Sequence, residues 1–228
     1  FNSDVKMWGK DMTRSQRIAE AVKLLKSAGF SWEVEPQVDL GKDKVLKRGK
    51  GLIMPDGKKM PSFEFMVMTA GYDPLRYTFG LNIGTWMQEI GIPCEVVPTD
   101  FNVVLTRTDE RDYDAFLLGW SLGLYPDHMH WFFHSSQAPA GGFSATQYVN
   151  PEFDKLSESF LAEPDLVKAR EKAFRMQEML AEDLPYIVLF DTPLIEAYRS
   201  DRVEYPFTKS LSGLQYNGGM TTTVELKN

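Results

Sequence analysis

The residues of this chain that could do chemistry concentrate in one stretch, residues 112–134, DYDAFLLGWSLGLYPDHMHWFFH, which contains all three histidines. On a helix, His130 and His134 lie one turn apart and would share a face as two ligands of a zinc or nickel ion, with Asp127 as a further oxygen donor. One hypothesis is therefore a metal-dependent hydrolase or metal-binding protein that uses His130 and His134. The alternative is that these imidazoles border a cleft or pack among the neighbouring aromatic side chains.

The same stretch offers a second chemistry, the binding of an organic ligand. A tryptophan follows the apolar run of a predicted strand, and an aromatic side chain on a loop is often a stacking platform. Hydroxyl groups nearby would donate hydrogen bonds, a carboxylate would fix the loop or a cationic group, and a histidine would be a secondary contact. The sequence predicts ligand contacts from five residues: Trp120, Ser121, Tyr125, Asp127 and His128.

Several motifs typical of enzymes do not occur in the sequence. It has no GxxxxGK[ST] phosphate loop, no GxGxxG and no CxxC. The single cysteine, Cys94, lies in an apolar run and is predicted to be a core side chain. The paired acids Asp112 and Asp114 are more typical of a solvated loop than of a catalytic pair. The ligand-binding hypothesis therefore includes no catalytic residue, no metal and no cofactor.

The charge distribution is uneven along the chain. The net charge of −7 gives no support for nucleic acid or an anionic membrane as a general partner. Residues 1–62 carry a net charge of +5 and residues 63–228 a net charge of −12. The basic excess concentrates in residues 42–50, a pattern typical of a solvated loop or hairpin surface. Because the chain begins at Phe1 without an initiator Met, we expect a mature fragment or an excised domain.

The elements that must position the loop alternate between strand and helix, which is typical of parallel βαβ units and predicts the α/β class. Strands are predicted at residues 62–69, 92–97 and 115–119, and helices at residues 73–89 and 101–108. Loops at the carboxyl ends of such strands commonly bind ligands, and Trp120 follows the third strand. The apolar side of the first of these helices is predicted to comprise Leu75, Phe79, Ile83, Trp86 and Ile90.

The rest of the chain shows further helical and irregular segments. A capping box of Thr13 and Gln16 opens a helix at residues 13–28, and residues 31–61 are predicted as an irregular excursion with a hairpin. Helices are predicted from Pro151 and from Pro164, the second with Leu166 on its inner face. Residues 185–190 are predicted as a buried strand and residues 194–199 as an extended segment, after which the periodicity ends.

Several segments, taken in order, resemble a known family. RIAEAVKLLKSAGF (17–30) resembles "A..LL..AG[WF]", and GIPCEV (91–96) resembles the strand that follows a "W...LG" helix. YDAFLLGW (113–120) resembles "YD....GW", YPD (125–127) its "DPD" continuation, and DLPYIVLF (183–190) a "..PIPL.." strand. Together they span nearly the whole chain. The chain thus resembles the second lobe of a family 5 extracellular solute-binding protein, the oligopeptide, dipeptide and nickel-binding group that feeds ABC importers.

This resemblance implies a two-lobed clamp that closes on its ligand by hinge motion. Residues 1–200 would form a type II periplasmic-binding-protein-like lobe, with a central mixed sheet flanked by helices, and residues 201–228 a tail that crosses back to a missing N-terminal lobe. The implied partners are that lobe, a small-molecule or peptide ligand and the ABC transporter membrane subunits. The implied location is periplasmic or extracellular, with a lipid anchor at the cell surface as one form. Such a protein is not an enzyme.

One position departs from the peptide-binding members of the family. They place an acidic residue three positions after the GW tryptophan to bind the amino terminus of the ligand, whereas this chain has Gly123 there. The ammonium group would lose a charged hydrogen-bond partner worth about 2 kcal/mol. Asp127 is a candidate substitute, and the ligand is predicted as peptide-like or another small organic solute. A third hypothesis is a stand-alone interaction domain that binds a partner through its cleft face.

Overall fold

The elements of the fold alternate between helices and short strands. A computed structural model describes residue 2 and residues 4–123, 125–191, 199–204 and 225–226. In chain order the elements are α1 (Arg14–Ser27), β1 (Ser31–Val34), β2 (Gln37–Asp39), β3 (Lys44–Lys47), β4 (Lys50–Ile53), β5 (Phe63–Met68), α2 (Pro74–Glu89), β6 (Cys94–Thr99), α3 (Phe101–Glu110), β7 (Ala115–Phe116), α4 (His128–Phe133), a 3₁₀ turn (Ser135–Gln137), α5 (Pro151–Leu161), α6 (Leu166–Asp183), β8 (Val203–Glu204) and β9 (Glu225–Leu226). None of the described helices is long and apolar enough to cross a membrane.

The central sheet has the strand order β6-β5-β7, and both neighbours run parallel to β5. Phe65 pairs with Val96 on one side and with Ala115 on the other. Beyond β7 the amide of Leu117 still donates to the Met66 carbonyl at 2.9 Å. The predicted α/β class and its parallel βαβ units are confirmed. Antiparallel pairing occurs in the separate two-stranded sheets β1–β4, β2–β3 and β8–β9.

Strand β5 is buried on both faces, as its apolar sequence predicts. Phe65 and Val67 belong to a cluster that also contains apolar side chains of α2, whereas Met66 and Met68 pack with Val104 of α3 on the opposite face. The helices therefore flank the sheet on both sides. Cys94 is buried in the α2 cluster, and burial raises the pKa of its thiol, which fits its predicted role as a core side chain.

Helix α2 packs on the sheet through glycines. A Cβ atom at Gly80 would lie 2.3 Å from Cγ1 of Val67, and one at Gly84 would lie 2.2 Å from Cγ2 of Val96. The face that carries these glycines meets the sheet together with Tyr77, Ile83 and Met87, whereas Leu75 and Trp86 lie off it and are exposed. Their predicted place on the apolar, packed side is therefore wrong.

Residues 31–61 form a nested pair of antiparallel hairpins. Strands β1 and β4 pair with each other, and the inner hairpin of β2 and β3 lies against α1. Asp56 and Gly57 then form a turn in which the amide of Met54 donates to the Lys58 carbonyl at 2.8 Å. Helix α1 begins after the predicted capping box, in which Thr13 and Gln16 each satisfy the backbone of the other. This part of the chain joins the sheet at the carboxyl end of α2, where Gly49 forms a bridge with Ile90.

Helices α4, α5 and α6 enclose a second core, in which Phe153, Phe160 and Met176 are fully buried. Asn150 caps α5 as predicted, because its side chain accepts hydrogen bonds from the amides of Glu152 and Phe153. Helix α6 begins at Leu166, after its cap Asp165. Leu166 is exposed, so its predicted inner position is wrong: at the first helical position it precedes the turns that pack on α5.

Residues 185–190 do not form the predicted buried strand. Ile187 is 73% exposed and Val188 81% exposed, while Phe190 packs on Phe79 of α2 with ring centroids 4.5 Å apart. An apolar run becomes a buried strand only when a neighbouring strand pairs with it, and within the described residues none does. The predicted extended segment at 194–199 lies outside the described residues except for Arg199. Of the predicted tail, residues 205–224 and 227–228 also lie outside them.

Candidate functional site

The loop that follows β7 at the carboxyl edge of the sheet carries the predicted ligand contacts. Trp120 lies on this loop with 43% of its surface exposed, and its ring packs against Phe132 of α4 with centroids 4.8 Å apart. The indole is therefore held by one neighbouring ring while much of its surface stays accessible. Ser121 is the next residue and is exposed. This arrangement can stack an organic ligand and donate a hydrogen bond beside it.

Tyr125 supplies a second accessible ring. It is also 43% exposed and is stacked on Phe160, with centroids 5.1 Å apart and ring planes 14° apart. Because Phe160 is buried in the core of α4, α5 and α6, Tyr125 covers that core with one face. Trp120 and Tyr125 thus combine a packing role with an accessible surface, and each packs on a different ring.

Asp127 and His128 form the start of α4. Asp127 is the N-cap residue, but its carboxylate makes no capping hydrogen bond. His128 is half-buried next to Phe132, with centroids 6.1 Å apart, and burial lowers the pKa of its imidazole against the opposing effect of Asp127. Its Nδ1 is buried and has no hydrogen-bond partner within the described residues. Because Nδ1 has no accessible surface, a ligand would contact His128 through the exposed part of its ring.

The structure adds a residue that the sequence reasoning missed. The guanidinium of Arg76, at the start of α2, lies over Gly119, where a Cβ atom would meet its Nη2 at 2.0 Å. Arg76 Nη1 donates to Asp73 at 2.5 Å, and Asp73 also caps α2 by accepting the Arg76 amide at 2.8 Å. A cation therefore adjoins Trp120 at the carboxyl edge. The only signal in the sequence is a basic residue near the start of a helix that follows a strand.

Gly123 lies on the same loop in open space. Among the described residues, apart from Gly123 and its chain neighbours, no atom lies within 4 Å of the Cβ that a side chain would add there, which leaves room for the acidic residue that this chain lacks. Charged side chains at this loop include Asp127 at the start of α4 and Arg76, which lies over Gly119 and pairs with Asp73.

The histidine pair of the metal hypothesis is engaged by protein groups. The rings of His130 and His134 lie 4.5 Å apart, and His130 Nδ1 lies 3.2 Å from Ser157 Oγ. His134 Nδ1 accepts the amide of Ser136 at 3.1 Å, and its Nε2 lies 3.3 Å from Glu158 Oε1. Across the described part of the chain no three His, Cys, Asp or Glu side chains are arranged to hold a metal ion. This geometry does not favour the metal-dependent alternative.

Hydrogen bonds to the residues that follow α4 hold the carboxyl end of this helix in place. Ser135 donates from its amide at 2.9 Å and from its hydroxyl at 2.6 Å to the carboxylate of Asp154 on α5. Arg111 extends from the end of α3 and donates to the carbonyls of Ala138, Pro139 and Gly142 at 2.9–3.2 Å. The turn after α4 is thereby held to α3 and the helix to α5, so the loop before it spans two fixed points.

Comparison with known proteins gives relatives of one kind. The chain is 27% identical over 171 residues to the oligopeptide-binding protein AppA of Bacillus subtilis, covering 74% of this chain and 29% of that protein. It is 28% identical over 119 residues to the peptide transport periplasmic protein SapA of Salmonella typhimurium, covering 50% of this chain and 21% of SapA. No protein-family model matches the chain.

Solved structures agree with these relatives. AppA in complex with a nonapeptide superimposes with a TM-score of 0.64 at 24% identity, over 82% of this chain and 33% of AppA. NikZ of Campylobacter jejuni in complex with Ni(L-His) superimposes with a TM-score of 0.61 at 25% identity, over 81% of this chain and 33% of NikZ. The predicted fold of a type II periplasmic binding protein is thus confirmed.

The chain spans about a third or less of the length of the proteins it matches. The matches agree with the resemblance that the motifs carry: this chain is similar to one part of the family 5 solute-binding proteins of ABC importers, the oligopeptide and nickel-binding group.

Proposed function

We propose that the chain is the second lobe of a two-lobed solute-binding protein, the substrate-binding component of an ABC-type importer. The observation that carries this proposal is the pair of accessible rings, Trp120 and Tyr125, on the loop at the carboxyl edge of a parallel sheet, in a chain whose relatives are solute-binding proteins. The chain covers about a third of those relatives. A first lobe would therefore supply the other wall of the cleft, and membrane subunits of the transporter would bind the closed clamp.

The ligand is a peptide-like or other small organic solute. Trp120 stacks on it, Ser121 and Tyr125 donate hydrogen bonds, and His128 is a secondary contact. Asp127 fixes the loop or a cationic group of the ligand. Arg76 adds a contact for an acidic group, since its Nη1 is bound to Asp73 while Nη2 lies beside Gly119. With Gly123 open, the ligand need not present an ammonium group at that position.

The proposed protein is a binder that performs no turnover. It acts in the periplasm or outside the cell, in agreement with the periplasmic relative, and a lipid anchor would keep it at the cell surface. A ligand held by both lobes stabilises the folded protein by mass action, so binding raises its melting temperature.

The test is a ligand screen by thermal shift on the full-length protein, followed by Trp120→Ala. We expect at least one small organic solute to raise Tm with no chemical change in the solute. Trp120→Ala should weaken its affinity about tenfold, because the stacked ring contributes about 1 kcal/mol or more. Calorimetric titration of wild type and variant measures the difference.

The matched control is Trp86→Ala, which removes an equally large exposed ring near the carboxyl end of α2, whereas Arg76 and the loop lie at its amino end. It should leave the affinity unchanged. An undiminished affinity in Trp120→Ala would remove Trp120 from the site. A protein that binds no solute, or that converts the solute it binds, would overturn the proposed function.

A further inference from the structure

A dense run of basic residues lies on the inner hairpin and its flanks, residues 37–50, which we term the basic hairpin. It contains five basic and two acidic residues in a chain whose net charge is −7. Its strands β2 and β3 pair with each other, and the half-buried Val45 lies between exposed neighbours in β3. The charge is therefore presented on a short, backbone-paired element and not on a disordered run.

The lysines of the basic hairpin are free to act outside the molecule. Lys42, Lys44, Lys47 and Lys50 are exposed, and no ion pair involves any of them within the part of the chain that the structure describes. The single arginine, Arg48, lies 3.5 Å from the buried carboxylate of Glu89. Four unpaired ammonium groups on one hairpin leave an uncompensated positive field.

The two acidic residues of the hairpin are bound by backbone amides. Asp39 Oδ1 accepts from the amides of Gly41 and Lys42, at 3.0 and 3.1 Å. Asp43 Oδ1 accepts from the Ser15 amide at 2.7 Å, and this bond lowers the pKa of the Asp43 carboxyl group. These carboxylates thus stabilise the turn and its contact with α1. In the described structure neither forms an ion pair with a lysine of the hairpin.

Two leucines protrude among the lysines. Leu40 is 56% exposed and Leu46 is 61% exposed, the first in the turn that carries Lys42 and the second in β3, two residues after Lys44. Exposed leucines beside lysines form an amphipathic tip in which apolar side chains can enter a bilayer boundary while ammonium groups meet its headgroups.

The basic hairpin is remote from the candidate ligand site. Arg48 and Gly49 attach it to Glu89 and Ile90 at the carboxyl end of α2, whereas Arg76 meets the ligand loop near the amino end. Glu89 lies thirteen positions after Arg76 on the helix, which is about 20 Å at a rise of 1.5 Å per residue. Contacts made by the hairpin would therefore leave the ligand loop free.

We infer that the basic hairpin is a docking surface for an anionic lipid bilayer, with the lysines on the headgroups and the two leucines at the level of the acyl boundary. Clustered lysines are drawn to anionic lipid in proportion to their number. A protein partner is a poorer fit, because protein interfaces are enriched in arginine and depleted in lysine, and the arginine here is already held by Glu89. The net charge of the chain, which gives no general support for membrane binding, does not describe this local surface.

The test is co-sedimentation of the full-length protein, freed of any lipid anchor, with vesicles of phosphatidylcholine alone or with about 50 mol % phosphatidylglycerol. We expect binding to the anionic vesicles, little binding to the neutral ones, and loss of binding in about 0.5 M NaCl, where charge is screened. Lys44→Gln/Lys47→Gln should weaken binding at least about tenfold. Leu40→Ser/Leu46→Ser should weaken it severalfold at low salt.

Matched control variants distinguish an effect of the hairpin residues on vesicle binding from an effect of the net charge of the protein. Lys155→Gln/Lys168→Gln makes the same change in charge on exposed lysines of α5 and α6, and Leu161→Ser/Leu166→Ser removes two exposed leucines. Both should bind vesicles as the wild type does. No binding to anionic vesicles, equal binding to neutral ones, or equal losses in hairpin and control variants would overturn the inference. Self-association that requires the hairpin lysines, measured by light scattering, would replace the bilayer with a second copy.

Discussion

At the scale of single residues, Gly119 and Arg76 are the pair that the structure joins across 43 positions of sequence. The guanidinium occupies the space that any side chain at 119 would fill, so the absence of a side chain there is what admits a cation next to Trp120. The two residues make one functional unit, because the role proposed for Arg76 requires the space over Gly119.

Because the two residues act together, we expect substitutions at Arg76 and Gly119 to have non-additive effects on ligand affinity. Arg76→Gln should weaken the affinity for an acidic ligand about tenfold, since a hydrogen bond to a charged group contributes about 1.5–3 kcal/mol. Gly119→Ala should cause a similar loss by displacing the guanidinium, at a cost in stability below about 1 kcal/mol because the end of an arginine side chain can move. The double variant should lose no more than either single one.

Calorimetric titration of an acidic ligand into the full-length wild type, the two single variants and the double variant measures these affinities. Gly123→Ala is the control on the same loop, because its side chain would enter open space and leave the affinity as it is. Additive losses in the double variant would show that Arg76 and Gly119 act separately.

At the scale of elements, α2 is the helix whose packing departs most from its sequence pattern. Its contact with the sheet depends on Gly80 and Gly84, which bring the helix backbone against Val67 and Val96. The same helix carries Arg76 at its amino end and the buried Glu89 at its carboxyl end, where Glu89 binds Arg14 and Arg48. Its fit to the sheet therefore positions both Arg76, at the loop after β7, and Glu89, which binds the basic hairpin through Arg48.

Gly84→Ala should destabilise the protein by about 1–3 kcal/mol, because the added Cβ would lie 2.2 Å from a branched side chain that cannot rotate away freely. The helix propensity of alanine, about 1 kcal/mol better than glycine, offsets only part of this cost. Urea unfolding measures the loss.

Two further variants test whether the loss of stability comes from the contact between Gly84 and Val96. Gly84→Ala/Val96→Ala should be more stable than the sum of the two single changes, because removing the valine methyls relieves the clash. Asn82→Ala, on the exposed side of α2, should be neutral or slightly stabilising. An unchanged or raised stability in Gly84→Ala would show that the helix is free to shift.

At the scale of the whole molecule, the apolar segment at 187–190 is a candidate contact surface for the rest of the protein. The segment comes shortly after α6 in the chain and its side chains are exposed; only Phe190 has a described ring contact, with Phe79. Under the proposed function, the remainder of the protein covers this segment.

Ile187→Ser/Val188→Ser should therefore have different effects in two contexts. In the isolated chain the change should stay within about 0.5 kcal/mol, because both side chains are in solvent. In the full-length protein it should cost about 2 kcal/mol or more, from the loss of buried apolar surface. Leu166→Ser is the exposed control, and urea unfolding of both forms measures the effect. An equally small effect in both would mean that the segment stays uncovered.

The amino-acid sequence by itself determined the α/β class, the three strands of the central sheet, the caps at Thr13 and Asn150 and the loop that follows the third strand. These features follow from local periodicity and local hydrogen bonds, which a sequence records directly. The order of its motifs also carried the resemblance to the solute-binding family. The contacts of the five predicted ligand residues with a solute stay a prediction, for the titrations above to measure.

The tertiary structure alone decided which apolar residues pack and which charged residues meet. The packed face of α2 includes Gly80 and Gly84 and keeps Ile83 of the predicted side, whereas Leu75 and Trp86 are exposed. Residues 185–190 have the composition of a buried strand but lack a described pairing partner, and strand burial is a property of the pair. Arg76 reaches Gly119 only because parallel strands bring their carboxyl ends to one edge, so a distance of 43 residues in the chain becomes a contact in space.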